Sequence, residues 1–456
     1  ANGVTMNINK SIDILRDYKS LKPDIITVMG GPHVTFDAHN ILKDHKHVDF
    51  IIRREGELTL IELLKNISDG GSFKKIRGLS FREGENIIHN ADRPLIDDIN
   101  ILPGPELSLI KLSKYKALGT SVNMITSRGC PFKCIFCVGS KMVGQKVRYY
   151  DVQRVVDEFE RLSTLGFKQI NIADDLFTSN KKRCITICNE IIKRGIKHKW
   201  TAFARVDTVT EELLQVLKKA GCTTLCFGIE SGDQKILDKI NKRISLGAVK
   251  KAIEQCKNAK IGVMASYILG LPGETRETAN MTMAFAKELC NSYGYHILAP
   301  FPGTEVREKY SEYGIKIFTD DWDKYDANQS VCESEFLSHE EVDRIVMNFN
   351  SEIDGAIKFI MEKFENGEEL SKLEYETISG IKSFKFVEEL IKKDLLNGNK
   401  CTKGDGKESV LREIGDYISE ITGMNTDTVS LELERLLELN CIEVKQIKDS
   451  KSIEWI

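Results

Sequence analysis

The sequence predicts an α/β fold. A partial (β/α)6 barrel occupies the centre, a truncated Rossmann-like segment precedes it, and a helical tail with winged-helix-like features follows. Three observations carry this. Strand-length apolar runs alternate with helix-length amphipathic runs from residue 122 to about 300. A shorter alternation of the same kind fills the first hundred residues. Beyond about residue 330 the pattern turns helical and charged. Strands that alternate with helices are the mark of a parallel sheet.

The first region, 1–100, begins with a helical run at 7–20. Asp24-Ile-Ile-Thr-Val-Met-Gly-Gly31 then reads as a buried strand closed by two glycines. A helix near 37–44, the strand Val48–Ile52 and a helix from Glu57 to Ile67 continue the alternation. Residues 74–98 read as a hairpin and tail, and Pro103-Gly104-Pro105 marks a linker over 101–121. In the region 122–330, strands are expected near 122–126, 167–172, 199–203, 223–229, 263–269 and 294–299. Helices are expected at 151–164, 181–194, 210–220, 233–241, 246–258 and 277–290. Six such units suit an open barrel, whose site would lie at the C-terminal ends of the strands. A helical region, 331–398, a linker at 399–407 and a small unit at 408–456 complete the chain. The last unit ends in a strand pair, Cys441–Lys445 and Ser452–Ile456.

Composition limits the function. The chain has 456 residues, 41% hydrophobic and 29% charged, with a net charge of −3. That is an ordinary soluble balance, with no overall pull toward a polyanion. No apolar run approaches the roughly 18 residues of a membrane span. No signal peptide is visible, so a reducing cytoplasmic setting is expected for the twelve cysteines. A start at Ala1 without Met reads as a piece of a longer protein. His39, His45, His47 and His89 are expected on the solvated surface.

Cys130, Cys134 and Cys137 carry the chemistry. They lie in Ser127-Arg-Gly-Cys-Pro-Phe-Lys-Cys-Ile-Phe-Cys137, directly after the first barrel strand. C-x3-C-x2-C offers three thiolates, one fewer than a four-iron cluster usually takes, so one iron is left open to a small molecule. A structural zinc would want a fourth Cys or His nearby. None is in the loop, and Cys184 and Cys188 lie far along the chain in a helical run.

The spacing, with Phe136 before the third cysteine, resembles the signature of radical S-adenosylmethionine (SAM) enzymes. The resemblance extends in order along the barrel. The second strand ends in Asp174-Asp175-Leu-Phe-Thr178, similar to the D-D-x-F-T of cobalamin-linked members. The third ends at Arg205, the fourth in Gly228-Ile-Glu230-Ser231, and the fifth in Ile268-Leu-Gly270-Leu-Pro-Gly-Glu274. The fifth departs from the family pattern: Ser266 replaces a Gly and Glu274 comes one place late. The sixth runs Leu298-Ala-Pro-Phe-Pro-Gly. Gly30-Gly31-Pro-His33 and Glu55-Gly-Glu57 resemble the later half of a cobalamin-binding domain. Its earlier half, with the histidine that would reach cobalt, is absent, and His33 stands in the wrong place for that role.

The resemblance implies a [4Fe-4S] cluster held by Cys130, Cys134 and Cys137, with SAM on the open iron. It implies SAM contacts from Asp174 or Asp175, Arg205, Glu230, Ser231, Ile268, Gly270 and Leu298, and cobalamin beside Gly30 and Gly31. It implies cleavage of SAM to a 5′-deoxyadenosyl radical, then methyl transfer or carbon-skeleton chemistry on an unknown small molecule or peptide. An electron donor such as a flavodoxin or ferredoxin is implied as partner. For Asp174 or Asp175 a helix cap competes, and for Arg205 a structural ion pair. Two alternatives stand for the whole chain: a radical SAM enzyme without cobalamin, and a non-enzymatic iron–sulfur or zinc module with a protein-binding tail. Neither a membrane nor a nucleic acid is expected as partner. The segment Asn425–Arg435, where a winged helix would meet DNA, is acidic, and phosphate contact needs the opposite charge.

Overall fold

The computed structural model describes residues 1–290, 292–396, 406–447 and 450–456. At its centre are six parallel strands in sequential order: Val122–Met124, Ile170–Ile172, Trp200–Ala204, Cys222–Glu230, Gly262–Leu269 and Tyr293–Ile297. Helices Val152–Ser163, Lys181–Lys193, Glu211–Lys219, Leu246–Asn258 and Arg276–Leu289 connect them. Helix Gln234–Lys239 is an extra short turn after the fourth strand. The expected barrel strands and helices all form, within a few residues at their ends.

Alternation along the strands divides the sheet into two faces. Ile170, Ile172, Ala202, Leu225, Phe227, Ala265, Tyr267 and Leu269 are buried under the helices. Their apolar partners come from the helices' inner stripes, such as Val155, Phe159 and Leu162, or Leu213, Leu214 and Leu217. Intervening residues point into the concave side. Asn123, Asn171 and Thr201 form a hydrogen-bonded row low in the barrel (2.9 and 3.1 Å). Above it Phe203, Cys226 and Met264 are direct neighbours across three strands. Phe203 and Met264 remain 46% and 44% exposed, and Ile125, just past the first strand, 49%.

The first region holds a four-stranded sheet: Val28–Met29 parallel to Phe50–Ile52, then Leu79–Glu83 and Asn86–His89 antiparallel. Helices Ile8–Leu21 and Ala38–Asp44 cover it through Ile8, Ile12, Leu15, Ile41 and Leu42. The strand expected over 24–31 is shorter than predicted. Residues Ala1–Gly3 lie alongside it, with Asn2 paired parallel to Gly30.

Behind the barrel, Ile315–Ile317 pairs with Cys332–Ser334, so a hairpin bridges the division expected at 330. The long helix His339–Glu365 gives Val342 and Val346 to the barrel core. The tail is two helices, Lys407–Thr422 and Thr426–Glu438, and the hairpin Ile442–Ile447 with Ser450–Trp455. It does not stand alone. Its core is shared with Ala117 from the segment read as linker, and with Phe386, Val387 and Leu390 of helix Lys372–Lys392. Most of the linker expected at 399–407 lies outside the described residues.

Of the surface histidines, His39 is exposed and meets His89 at 3.4 Å. His45 and His47 are half-buried, ring to ring at 5.6 Å, and burial lowers the pKa of His47.

Candidate functional site

The cysteine loop springs from a short antiparallel ladder, Ser127–Arg128 with Arg148–Tyr149. Gly129 has φ +115°, and a Cβ there would stand 2.6 Å from the Lys146 carbonyl, so the turn into Cys130 needs glycine. The loop is tied down across the barrel mouth. The Cys130 N–H donates to the Gly144 carbonyl (3.1 Å), Ile135 N–H to Ile240 (3.2 Å), and Asn241 Nδ2 to Lys133 (2.7 Å). The buried side chain of Ile135 pins its middle into the barrel core.

All three thiols are free. Among the described residues, the one group of three or more His, Cys, Asp or Glu whose ligand atoms all lie within 4.8 Å of one another is Glu333, His339 and Glu340. Thiolates around one zinc, at bonds of about 2.3 Å, would stand less than roughly 4 Å apart. The three cysteines are too widely spaced for that. Three thiols with no fourth Cys or His in the loop are the donor set of a four-iron cluster with one iron left open, so these residues fit a cluster. Glu333, His339 and Glu340 already pair among themselves, and Glu333 also takes Lys316. Burial raises the pKa of each cysteine, and the positive charge of Lys242 works the other way on all three. The thiols therefore stay protonated until a metal displaces the protons.

The two aspartates after the second strand have separate jobs. Asp174 is 2% exposed and takes four hydrogen bonds: Thr126 N, Ser127 N (3.1 Å), and both hydroxyls at 2.6 Å. Burial raises its pKa and those four bonds oppose the rise. These bonds tie it to the stalk of the cysteine loop, a structural role that competes with the SAM contact expected of it. Asp175 is exposed, accepts the Gly129 N–H at 3.1 Å and acts electrostatically on Cys130. Of the pair, Asp175 is the one free to meet a ligand's amine.

Arg205 is likewise engaged by the protein. It makes a two-pronged pair with Asp207 (3.0 and 2.9 Å), donates to the Lys242 carbonyl (2.9 Å), and stacks 3.4 Å over Phe132 of the cysteine loop. In this arrangement it supports the loop, the structural ion pair that competes with the expected role. Ser231 is wholly buried, bonded to Thr282 Oγ1 (3.2 Å) and to the Asp233 N–H (3.1 Å). Leu298 is 2% exposed inside the core.

Glu230 keeps its place at the mouth. It follows a bulge in the fourth strand, has φ +73°, and its Oε1 takes Lys242 Nζ at 2.6 Å. A non-glycine residue in that backbone region is strained, and such strain gathers at functional sites. Glu230 and Lys242 both act electrostatically on Cys134. Gly270 has φ +81°, and Ile268 lines the concave face opposite His296.

Lys242 and Arg183 went unrecognised in the sequence. Lys242 sits in Asn241-Lys242-Arg243, an unremarkable basic run just past a short helix. Positive φ at Asn241 and Arg243 is what folds it back over the thiols. Arg183, in a helix's first turn, donates to the carbonyls of Thr126 and Tyr150, both at 2.9 Å. No sequence signal marked either residue.

In the first region, Gly30 ends its strand, and a Cβ there would meet the Ile52 carbonyl at an ordinary contact distance of 3.6 Å. Gly31 differs. A Cβ there would collide with Asn2 Oδ1 at 2.1 Å and Gly3 O at 2.8 Å, so the chain's own first residues demand this glycine. Local packing would admit a side chain at Gly30, whereas it demands glycine at Gly31. His33 is buried and bonded to Thr5 Oγ1 at 3.2 Å.

Comparison with known proteins identifies the family. Residues 124–286 match the model of the Radical SAM superfamily, and residues 2–64 that of the B12 binding domain. The chain is 36% identical over 350 residues to a protein of Pyrococcus horikoshii named an uncharacterized methyltransferase, covering 75% of this chain and 76% of that one. It is 32% identical over 363 residues to the anaerobic magnesium-protoporphyrin IX monomethyl ester cyclase of Cereibacter sphaeroides, covering 76% of this chain but 58% of the cyclase. The cobalamin-dependent SAM radical enzyme OxsB, solved with aqua-cobalamin and SAM bound, superposes with a TM-score of 0.66 at 16% identity, over 96% of this chain and 71% of OxsB. At that identity the likeness is one of fold. The family's cofactors are a [4Fe-4S] cluster, SAM and cobalamin, and its members include methyltransferases and cyclases. The chain belongs to the radical SAM superfamily, as an enzyme of the methyltransferase-like group that carries a B12-binding domain ahead of its barrel.

Proposed function

We propose that Cys130, Cys134 and Cys137 hold the cluster, that Asp175 and Glu230 meet the amine end of SAM, and that the enzyme methylates a carbon of a substrate with an apolar body. The observation that carries this is the meeting of three free thiols, Asp175, Glu230 and Lys242 at one end of the barrel. When bound, the cofactors supply a radical able to take hydrogen from carbon, and a methyl group to replace it.

The chain's own residues aim that chemistry and keep water out. Asp175 offers a carboxylate to a cationic amine. Gly228, Ser266 and Gly294 are neighbours across three strands; the Glu230–Lys242 pair lies against Gly228, and the space beside Gly294 is open. One step deeper along the strands lie Ile125, Phe203, Cys226 and Met264. Large apolar side chains left half-exposed on a concave face call for an apolar occupant. His296, opposite Ile268, adds a polar group at the edge of that chamber. A cytoplasmic setting and a small flavodoxin or ferredoxin as electron donor complete the reading.

Anaerobic reconstitution tests it. About four irons per chain are expected at one cluster, together with release of 5′-deoxyadenosine on reduction. Replacing Cys130, Cys134 or Cys137 with Ala should abolish both, while Cys184→Ala and Cys188→Ala should abolish neither. An iron requirement for Cys184 or Cys188 would overturn the assignment. The cyclase relative supports ring closure as a second reading. SAM with a deuterated methyl group separates the two, since only methyl transfer carries the label into product.

A further inference from the structure

The two stalks of the cysteine loop carry arginines that face each other. Arg128 and Arg148 are direct partners on the short ladder at the loop's base. Like charges directly opposite on a ladder repel, and here both side chains are largely buried, 20% and 4% exposed. One residue of the B12-binding region resolves the conflict. Glu55 lies between them, its Oε1 on Arg128 Nη1 at 3.1 Å and its Oε2 on Arg148 Nη1 at 2.8 Å. The Ile96 N–H adds a third bond to Oε2 at 2.9 Å. Glu57, the first residue of the next helix, takes the other arm of Arg128 at 2.7 Å. Arg148 spends its remaining reach on the carbonyls of Ile96 (2.6 Å) and Val143 (2.7 Å). Burial works to raise the pKa of Glu55, and the bonds from Arg148, Ile96 and Arg128 overcome it, so the carboxylate stays charged.

A buried charge survives only when paired, and removing one partner costs more than the pair itself contributes. Two buried guanidiniums that share one carboxylate make that dependence acute. The loop they support runs directly from Arg128 through Gly129 to Cys130. Lys146 and Asp97 pair on the rim of the same contact at 3.5 Å, but both are exposed and contribute little.

We propose that Glu55 is a positioning residue: a latch through which the B12-binding region fixes the geometry of the cysteine loop. This goes beyond the proposed reaction, since it assigns a role to the contact between the two regions and would hold whatever the substrate. The consequence is that the distance between corrinoid and cluster is set at Glu55 and not only by the connecting chain.

The test is Glu55→Gln, which keeps shape and removes charge. Hydrogen exchange in the cofactor-free chain is the first readout. Amides of 128–137 and 144–149 should exchange about tenfold faster or more, while those of Ile8–Leu21 and Phe50–Ile52 stay as they were. The double variant Glu55→Gln/Arg128→Gln removes the repulsion along with the link, and should slow that exchange again. The second readout is the distance between cob(II)alamin and the reduced cluster in the reconstituted chain, from pulsed electron paramagnetic resonance. It should lengthen and broaden in both variants, which a purely local loss of loop stability would not produce in the double one. Unchanged loop exchange in Glu55→Gln would overturn the latch, as would an unchanged distance in both variants. Should Glu55→Gln fail to fold, Arg128→Gln alone keeps one link and one cation, and is expected to broaden the distance to a lesser degree. An unaltered distance there would overturn the proposal equally.

Discussion

Two adjacent carboxylates, Asp174 and Asp175, show how far burial separates residues that look alike in sequence. Asp174 has four donors converging on it and no room for a fifth partner. Deleting its side chain leaves two backbone N–H groups and two hydroxyls unpaired in a buried place, each costing about 1–3 kcal/mol. Asp174→Ala should therefore lower the unfolding midpoint and loosen cluster retention, whereas Asp174→Asn, which still accepts through one oxygen, should do so far less. Asp175→Ala should leave stability nearly unchanged and weaken SAM binding by roughly 1–3 kcal/mol, the span of a charge-assisted bond. Calorimetry of unfolding and of SAM titration reads both. If Asp174→Ala spares stability while Asp175→Ala costs it, the two roles have been exchanged. Lys242 belongs to the same scale. Lys242→Met strands Glu230 as a buried charge, so it should cost stability, about 3–5 kcal/mol by the usual measure of a broken buried pair. Glu230→Gln with Lys242→Met together should cost less than Lys242→Met alone, which a double-mutant cycle measures.

At the scale of elements, the turn Gly270–Thr275 joins the fifth strand to helix Arg276–Leu289. Gly270 and Gly273 take positive φ, and Thr275 caps the helix by accepting the Thr278 N–H at 3.3 Å. Glu274 holds the turn from inside, fully buried, with Oε2 on the Gly270 N–H at 2.6 Å and Oε1 without a partner. Burial pushes its pKa from 4.5 up to about 8. Between those values the folded chain keeps a proton that the unfolded chain has released, so stability is full below about pH 4.5 and is lost as pH rises to about 8. Glu274→Gln carries no such proton, and its stability should vary less over that window. Parallel pH profiles for the two chains, measured by urea unfolding, would refute this.

This turn also shows what the sequence could and could not tell. Strand and helix periodicity located all six barrel units, because a parallel strand covered by helices must be apolar along a short run. The cysteine spacing located the mouth. Periodicity could not tell which polar groups at the strand ends face a ligand and which face the protein. Asp174, Arg205 and Ser231 matched expectation by position, yet their partners come from Thr126, Asp207 and Thr282. Ser231 and Thr282 lie far apart in sequence. Lys242 was invisible because left-handed backbone at its neighbours, not any pattern, turns it into the site.

For the whole molecule, the tail is the least obvious part and the most testable. Its helices and hairpin bury Val410, Ile414, Ile418, Leu433, Leu436 and Trp455 against Phe386, Val387 and Leu390 of the preceding helix and Ala117 before the barrel. Polar bonds join the same surfaces: Ser113 Oγ donates to the Ile456 carbonyl at 2.6 Å, and Lys114 stands over the Trp455 ring at 5.9 Å. The chain thus closes on itself just ahead of the first barrel strand. Removing residues 407–456 would uncover Phe386, Val387 and Leu390, each worth about 1.5–3 kcal/mol when fully buried. The barrel core does not include any of them. A shortened chain, 1–406, is therefore expected to bind an apolar dye such as ANS strongly and to unfold at lower temperature. It should still take up about four irons at the cysteine loop. Trp455→Ala should show the same dye binding in milder form. If instead the shortened chain loses iron uptake while its dye binding stays at the full-length level, the tail acts on the cysteine loop and not as a cover for the helix beside it.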